Sequence, residues 1–375
     1  MTNATVTARR AFTALAISAC ALTATAFAQT ETQPPPAPPA EALGPSDMVN
    51  AAPQSDWVVI APEEMLVMTL APDAEGKERK VILQLMPPPF SQGWVANIKT
   101  LARAEWYDGT SVNRVQDNYV VQWGDPGHDN PQGAGIAKKP LPEGLKVMGE
   151  DDYIVAPGTS SYDRLRNDML ADFIRLFPRD HADALIGPDG MVAPSQLDQF
   201  AGLFRVPDPY SKGGSWHSGW PVTNALTGVA TVHCYGVVGV GRSYSPDTGT
   251  GAELYTVIGH APRHLDRNIA LVGRIIGGME HLSSLPRGSG ALGFYTAEEA
   301  DKRTPILSIR VASDLPEDER PQYEYLSTET ETFARYAEAR ANRRDPFFIT
   351  PAGGADICNI PVPVRPFEYN DEGAE

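Results

Sequence analysis

Between Trp106 and Asp125 the chain reads WYDGTSVNRVQDNYVVQWGD, and no other stretch restricts its folding as tightly. Tyr107-Asp108-Gly109-Thr110 is turn chemistry, because Asp bonds its own backbone and Gly accepts dihedrals that other residues refuse. The valines and tyrosine that follow favour extended backbone. Arg114, Tyr119 and Gln122 ride on this strand, which closes on Gly124-Asp125. Residues an even number apart share a strand face, so Arg114 and Gln122 fall together. Tyr119 is odd relative to both and needs a turn at Asp117-Asn118 to come round.

The 375 residues suffice for one large domain with insertions or two ordinary ones. A formal net charge of -16 argues against nucleic acid or an anionic membrane as partner. Thirty-four prolines and thirty-three glycines indicate a loop-rich, strand-containing protein rather than a helical bundle. Arg9 and Arg10 precede an apolar run from Ala11 to Phe27, and Ala26-Phe27-Ala28 is a small-residue cleavage site. Residues 1–28 therefore read as a signal peptide and the mature chain as periplasmic. An alternative lies in Ile17-Ser18-Ala19-Cys20, which looks like a bacterial lipobox and would make Cys20 a lipid anchor. No other apolar run approaches the length of an integral membrane span. Once the leader is removed, Cys234 and Cys358 remain, and an exported chain accommodates them as one disulfide or as two separate thiols.

Residues 29–55 are rich in Pro, Ala, Gln and Glu and read as an extended linker. Order is expected from Trp57, with strands over 57–60, 64–70 and 80–85. Pro87-Pro88-Pro89 blocks any earlier helix, and Val95, Ile98, Leu101 and Ala102 give a helical face over 92–105. A helix over 162–177 has apolar positions Leu165, Met169, Phe173, Ile174 and Phe177, suited to packing. Beyond Ser313 a helix-like run over 328–344 leads into Pro-rich coil holding Cys358, read as a strap. No helix carries H-x-x-x-H or H-E-x-x-H, and His233, His260 and His264 lie on or beside strands, so no metal site is expected.

The YDGT turn followed by an arginine, an aromatic and Q-x-G-D resembles the core signature of the cyclophilins, the prolyl isomerases. The resemblance spans 81–125 and 231–311. It includes the strand His233 to Gly241, the Gly-rich loop Pro246 to Gly251, the turn His264-Leu265-Asp266 and the closing motif Leu271 to Glu280. Between them, 126–230 is a large insertion, so the expected organisation is a cyclophilin-like domain over 57–313 and a C-terminal extension over 314–375.

The resemblance implies a mainly β fold, a closed eight-stranded β-barrel with two capping helices. It implies peptidyl-prolyl cis/trans isomerisation, with proline-containing polypeptide clients and no cofactor. Arg114 stands where the family has its catalytic arginine, Tyr119 where a phenylalanine floors the proline pocket, and Gln122 where a glutamine binds substrate backbone. Asn113 replaces the usual histidine before that arginine. In the second half Gly241 and Arg242 fall at a peptide-gripping backbone, Arg242 in place of an asparagine. Glu253 replaces a glutamine and Tyr255 a phenylalanine, while His264 and Leu265 form the pocket wall. These departures leave a second reading, a non-catalytic proline-binding or scaffolding module.

Overall fold

The computed structural model describes residues 42–128, 135–176, 208–211, 213–225 and 227–367. The leader, Cys20, Phe177 and the side chains of Phe173 and Ile174 lie outside the described residues. Helix α1 (Pro45–Asn50) precedes strands β1 (Trp57–Val59), β2 (Met65–Leu70) and β3 (Arg79–Leu85). Helix α2 (Gln92–Arg103) leads into strands β4 (Ser111–Val115) and β5 (Val120–Gly124). Helix α3 (Ser160–Leu176) and strands β6 (Gly214–His217), β7 (Trp220–Ala225) and β8 (Gly228–Thr231) belong to the insertion. The chain continues through β9 (Val237–Val240), β10 (Glu253–Val257), β11 (Leu271–Gly277), the one-turn helix α4 (Glu280–Ser283) and β12 (Ile306–Val311). Strand β13 (Tyr323–Leu326), helix α5 (Glu331–Ala341) and strand β14 (Val364–Pro366) make up the C-terminal extension.

Eight strands form one sheet in the order β12-β2-β3-β11-β9-β10-β5-β4, every pair antiparallel. Its two edges meet at the YDGT turn. The Gly109 N–H donates to the Ile306 carbonyl at 3.1 Å, Ile306 N–H to Thr110 at 2.9 Å and Val112 N–H to Thr304 at 2.9 Å. Asp108 adds an ion pair to Arg310 at 2.7 Å, and the Tyr107 hydroxyl donates to the Gly251 carbonyl at 2.7 Å. Gly109 has a φ of +76°, a left-handed conformation that a side chain there would strain. The mainly β barrel implied by the cyclophilin resemblance is thus the architecture of the protein.

Helix α2 closes one end of the barrel because its apolar residues recur every three or four positions. Trp94, Val95, Ile98, Leu101 and Ala102 are all buried on that stripe. Burying each of the larger ones contributes about 1.5–3 kcal/mol. The second capping helix is a single turn, Glu280–Ser283, with Leu282 as its buried residue.

Two boundaries differ from the sequence reading. The linker over 29–55 does not run to its end as coil, since Pro45 starts α1 from the first-turn position that proline favours. Strand β1 is not a barrel strand but pairs with β13, which pairs in turn with β14. The C-terminal extension is therefore a small sheet with its own core, Trp57, Leu326, Phe333, Tyr336, Ile360 and Val362. In the insertion, β6, β7 and β8 form a third antiparallel sheet. Leu165 on α3 is buried in the main core with Trp220 and Val222, and Met169 packs against it.

Arg274 joins the three sheets. From β11 its guanidinium lies 4.5 Å from the Trp220 ring and 6.0 Å from that of Tyr325, and it donates to the Gly219 carbonyl at 2.9 Å. The extension is also held covalently, because Cys234 and Cys358 form a disulfide with a Cα separation of 5.0 Å. Cross-linking residues 124 positions apart restricts the unfolded chain by about 4–5 kcal/mol on the chain-entropy model. Cys358→Ser should therefore lower unfolding stability in denaturant titration by roughly 2–4 kcal/mol. The same titration under reducing conditions should abolish the difference from the wild-type chain.

Candidate active site

The stretch from Arg114 to Gln122 is a hairpin rather than the single strand read from sequence. Gln116 N–H donates to the Val120 carbonyl at 2.9 Å and Tyr119 N–H to Gln116 at 3.2 Å, with Asn118 at a φ of +50°. Arg114 and Gln122 thus share a face because they are ladder partners. A bulge between Val112 and Arg114 sets that register, leaving Asn113 unpaired with β5. Asn113 is buried and donates its amide to the Gly124 carbonyl at 2.8 Å.

The register extends the row across four strands. Arg114 on β4 faces Gln122 on β5, Gln122 faces Tyr255 on β10, and Tyr255 faces Gly239 on β9. The neighbouring row, Val112, Trp123, Leu254 and Val240, is wholly apolar and at most 1 % exposed. Alternating side-chain direction places these two rows on opposite faces of the sheet. Gly239 is required by its neighbour, since a Cβ there would sit 2.3 Å from Cζ and Oη of Tyr255. The phenol ring occupies the space that glycine leaves open.

Arg114 is fixed by three of its N–H groups. Nε donates to the Leu292 carbonyl at 2.6 Å, Nη1 to Gln122 Oε1 at 3.0 Å, and Nη2 to Gln116 Oε1. The rings of Tyr119 and Phe294 flank the guanidinium at 5.4 and 5.3 Å. A guanidinium has five N–H donors, so one remains on each terminal nitrogen. Partial burial pushes the Arg114 pKa down from its very high ordinary value, and burial raises those of Tyr119 and, far more, Tyr255. The site is a fixed cation beside protonated phenols in surroundings drier than bulk water.

The residues expected in the second half divide. Tyr255 joins the row. Leu265 is half-buried and His264 exposed on the one-turn helix Arg263–Leu265. Gly241 donates its N–H to the Glu253 carbonyl at 2.7 Å. Arg242 spends its donors on the carbonyls of Asn268 and Ser243, at 2.9 and 2.8 Å. Glu253, expected to touch peptide, is instead completely buried, its side chain packed under Gly241.

Sequence reading missed the segment 288–296, which supplies Leu292 and Phe294 to the site. Its signal was a cluster of Gly288, Gly290 and Gly293 beside an apolar pair. Buried Glu299 pins both ends of this loop, accepting from Ser289 N–H at 3.0 Å, Thr296 N–H at 3.1 Å and Lys302 Nζ at 2.7 Å. It also missed the groups behind Tyr255. His233 and Asp266 are both buried and bonded to one another.

An eight-stranded barrel with an arginine–glutamine–aromatic row on its outer face defines a scaffold of the prolyl isomerase class. The family described as cyclophilin type peptidyl-prolyl cis-trans isomerase/CLD matches residues 93–311. The chain belongs to this family. Among solved structures it is similar to the cyclophilin AquaCyp293 from Hirschia baltica, with a TM-score of 0.54 and 19 % identity, covering 85 % of this chain and 97 % of that one. A cyclophilin type isomerase of Cryptosporidium parvum matches at a TM-score of 0.33 and 12 % identity, over 66 % of this chain and 96 % of that one. No curated protein matches the chain.

The pinned loop generates a test. Lys302 first, and then the two backbone N–H groups, hold the Glu299 pKa down at about 2. A depressed carboxylate contributes above its unfolded pKa and loses that contribution as pH falls through the folded value. The loop should therefore stay closed through the ordinary carboxylate range near 4.5 and open only toward about 2. Glu299→Ala should release it at neutral pH and lower kcat/KM by about tenfold, since misplacing a reacting group by about 1 Å costs up to ~100-fold. Kinetics on an Ala-Pro reporter peptide, with folding checked by circular dichroism, measure this.

Proposed function

We propose that this chain assists the folding of exported proteins by catalysing X-Pro isomerisation through Arg114. Rotation about the X-Pro bond faces a barrier of about 18–20 kcal/mol from amide resonance, whereas the two isomers differ by only about 1 kcal/mol. The task needs no nucleophile and no redox step. It needs a donor aimed at the amide as it twists, a socket for the ring, and a hold on the flanking peptide.

The observation that carries the reading is the fixed guanidinium. Three bonds orient Arg114 beside the Tyr119 ring, and two of its N–H donors remain for a substrate. A donor already in place costs no reorganisation when charge shifts in the twisted amide. Each tenfold in rate corresponds to about 1.4 kcal/mol of preference for the transition state. Tyr119 and Tyr255 give the proline ring apolar faces, and the Gln122 amide, turned by Arg114, offers its N–H to peptide carbonyls. Leu265 supplies a further apolar wall and His264 a polar rim.

Export rests on Arg9-Arg10, the apolar run to Phe27 and the Ala26-Phe27-Ala28 site. A periplasmic enzyme would begin at Gln29, whereas a lipoprotein would begin at lipidated Cys20. Among the described residues no helix is long and apolar enough to cross a membrane.

The decisive measurement is isomerisation of an Ala-Pro reporter peptide by the mature chain. Arg114→Ala should lower kcat/KM by on the order of 100- to 1000-fold, as loss of a transition-state donor does. Arg114→Lys should recover only part, because an ammonium cannot reproduce the fork that Leu292, Gln116 and Gln122 hold. Unchanged turnover in a folded Arg114→Ala variant would sink this reading and favour a proline-binding module. N-terminal sequencing of the processed chain decides between Gln29 and Cys20.

A further inference from the structure

Behind the Tyr255 ring lies a chain of buried polar groups that the isomerase reading does not use. His233 is completely buried. Its backbone N–H and its Nδ1 each lie 2.8 Å from the same Asp266 oxygen, Oδ1. Its Nε2 lies 2.9 Å from the Tyr255 hydroxyl. The two rings are nearly parallel, at 9° with centroids 6.5 Å apart. Asp266 is held by the Arg263 Nε at 2.7 Å, and Arg263 reaches Asp208 of the insertion at 2.5 Å and Asp356 of the extension at 3.6 Å.

Hydrogen-bond chemistry assigns the direction of this chain. An ionised carboxylate only accepts, so the proton between Asp266 and His233 sits on Nδ1. Neutral imidazole then has Nε2 as an acceptor, and the Tyr255 hydroxyl donates to it. The phenol cannot offer that proton to a substrate. What the bond fixes is the ring's place: a phenylalanine here would be free to tilt away from Gly239, whereas Tyr255 is tethered at its far end.

We propose that His233 is a positioning residue of the isomerase site, locking the Tyr255 ring as the rigid floor of the proline socket. The inference rests on the isomerase reading. Asp266 orients the imidazole from behind, much as a carboxylate fixes the tautomer of a catalytic histidine. Through Arg263 the same carboxylate is anchored to both segments that this chain adds to the barrel. A socket whose floor is already set loses less ordering on binding, and twisting of the amide then occurs against fixed surfaces.

Two amide substitutions separate positioning from mere filling of space. His233→Gln places its carboxamide where Nε2 lies and can still take the Tyr255 proton. His233→Asn places it where Nδ1 lies, keeping Asp266 but abandoning Tyr255. The proposal expects His233→Asn to lower kcat/KM on the Ala-Pro reporter at least fivefold, and His233→Gln to recover most of that loss. In a Tyr255→Phe background the same His233→Asn change should alter kcat/KM by less than twofold, because the tether is already gone. By NMR, the Tyr255 hydroxyl proton should be held in slow exchange with water in the wild type and in His233→Gln, and be lost to fast exchange in His233→Asn.

Equal activity of the two amide variants, an undiminished His233→Asn effect in the Phe background, or a Tyr255 hydroxyl proton indifferent to residue 233 would each overturn the proposal. A wild-type chain inactive on the reporter would overturn the isomerase reading instead. The hydroxyl-proton comparison would then decide by itself whether His233 holds Tyr255.

Discussion

A strand slipped by one residue turns every side chain to its other face, and strand β5 has a ladder on each side that must resist such a slip. In the observed register Trp123 points into the core with Val112 and Leu254, and Gln122 points outward between Arg114 and Tyr255. Shifting either ladder would turn Gln122 into the apolar core and part the arginine from its amide partner. Burial of Trp123, entirely out of solvent, opposes that shift. The apolar row inside thus specifies the polar row outside, and the barrel's stability and its chemistry are set by one hydrogen-bond register.

The row is further confined from both ends. At the arginine end, the loop carrying Leu292 and Phe294 fills the space over the guanidinium, and Glu299 ties that loop down. At the tyrosine end, Gly239 admits the ring while His233, backed by Asp266, meets its hydroxyl. Buried polar groups cost several kcal/mol when unpaired, so a chain of them is tolerable only when its members are partnered along its length. Arg263, bonded to Asp266 and Asp208, provides that continuation and makes the insertion part of the pocket's backing.

Much of the barrel was legible because its signals are local. The YDGT turn, the helix over 92–103 and the paired positions of Arg114 and Gln122 depend on residues within one hairpin or one helix. What escaped depends on charges meeting across long separations. Glu324 looks like a surface residue in sequence, yet it is fully buried because Arg365 and Gln54 reach it at 2.6 and 2.7 Å. That pairing lets β13 sit between β1 and β14, and no periodic pattern announces it. Asp208, Asp266 and Asp356 are likewise ordinary acids until folding gathers them around Arg263. The even spacing of 114 and 122 gave the correct face for an incomplete reason, since a turn and a bulge lie within it.

The insertion divides the chain at the place where the row is divided. Arg114 and Gln122 are synthesised before it, and Gly239 and Tyr255 after it. The disulfide joins two points of the later part and does not bridge the divide. The part holding Arg114 and Gln122 and the part holding Gly239 and Tyr255 are therefore linked by one backbone path and otherwise by noncovalent contacts, among them the β5–β10, β3–β11, β2–β12 and β1–β13 ladders. A nascent chain that has emerged only as far as the insertion already holds Arg114 and Gln122 but lacks the strands that carry the rest of their row. Its barrel, and the row with it, is complete only when its own last barrel strand has closed.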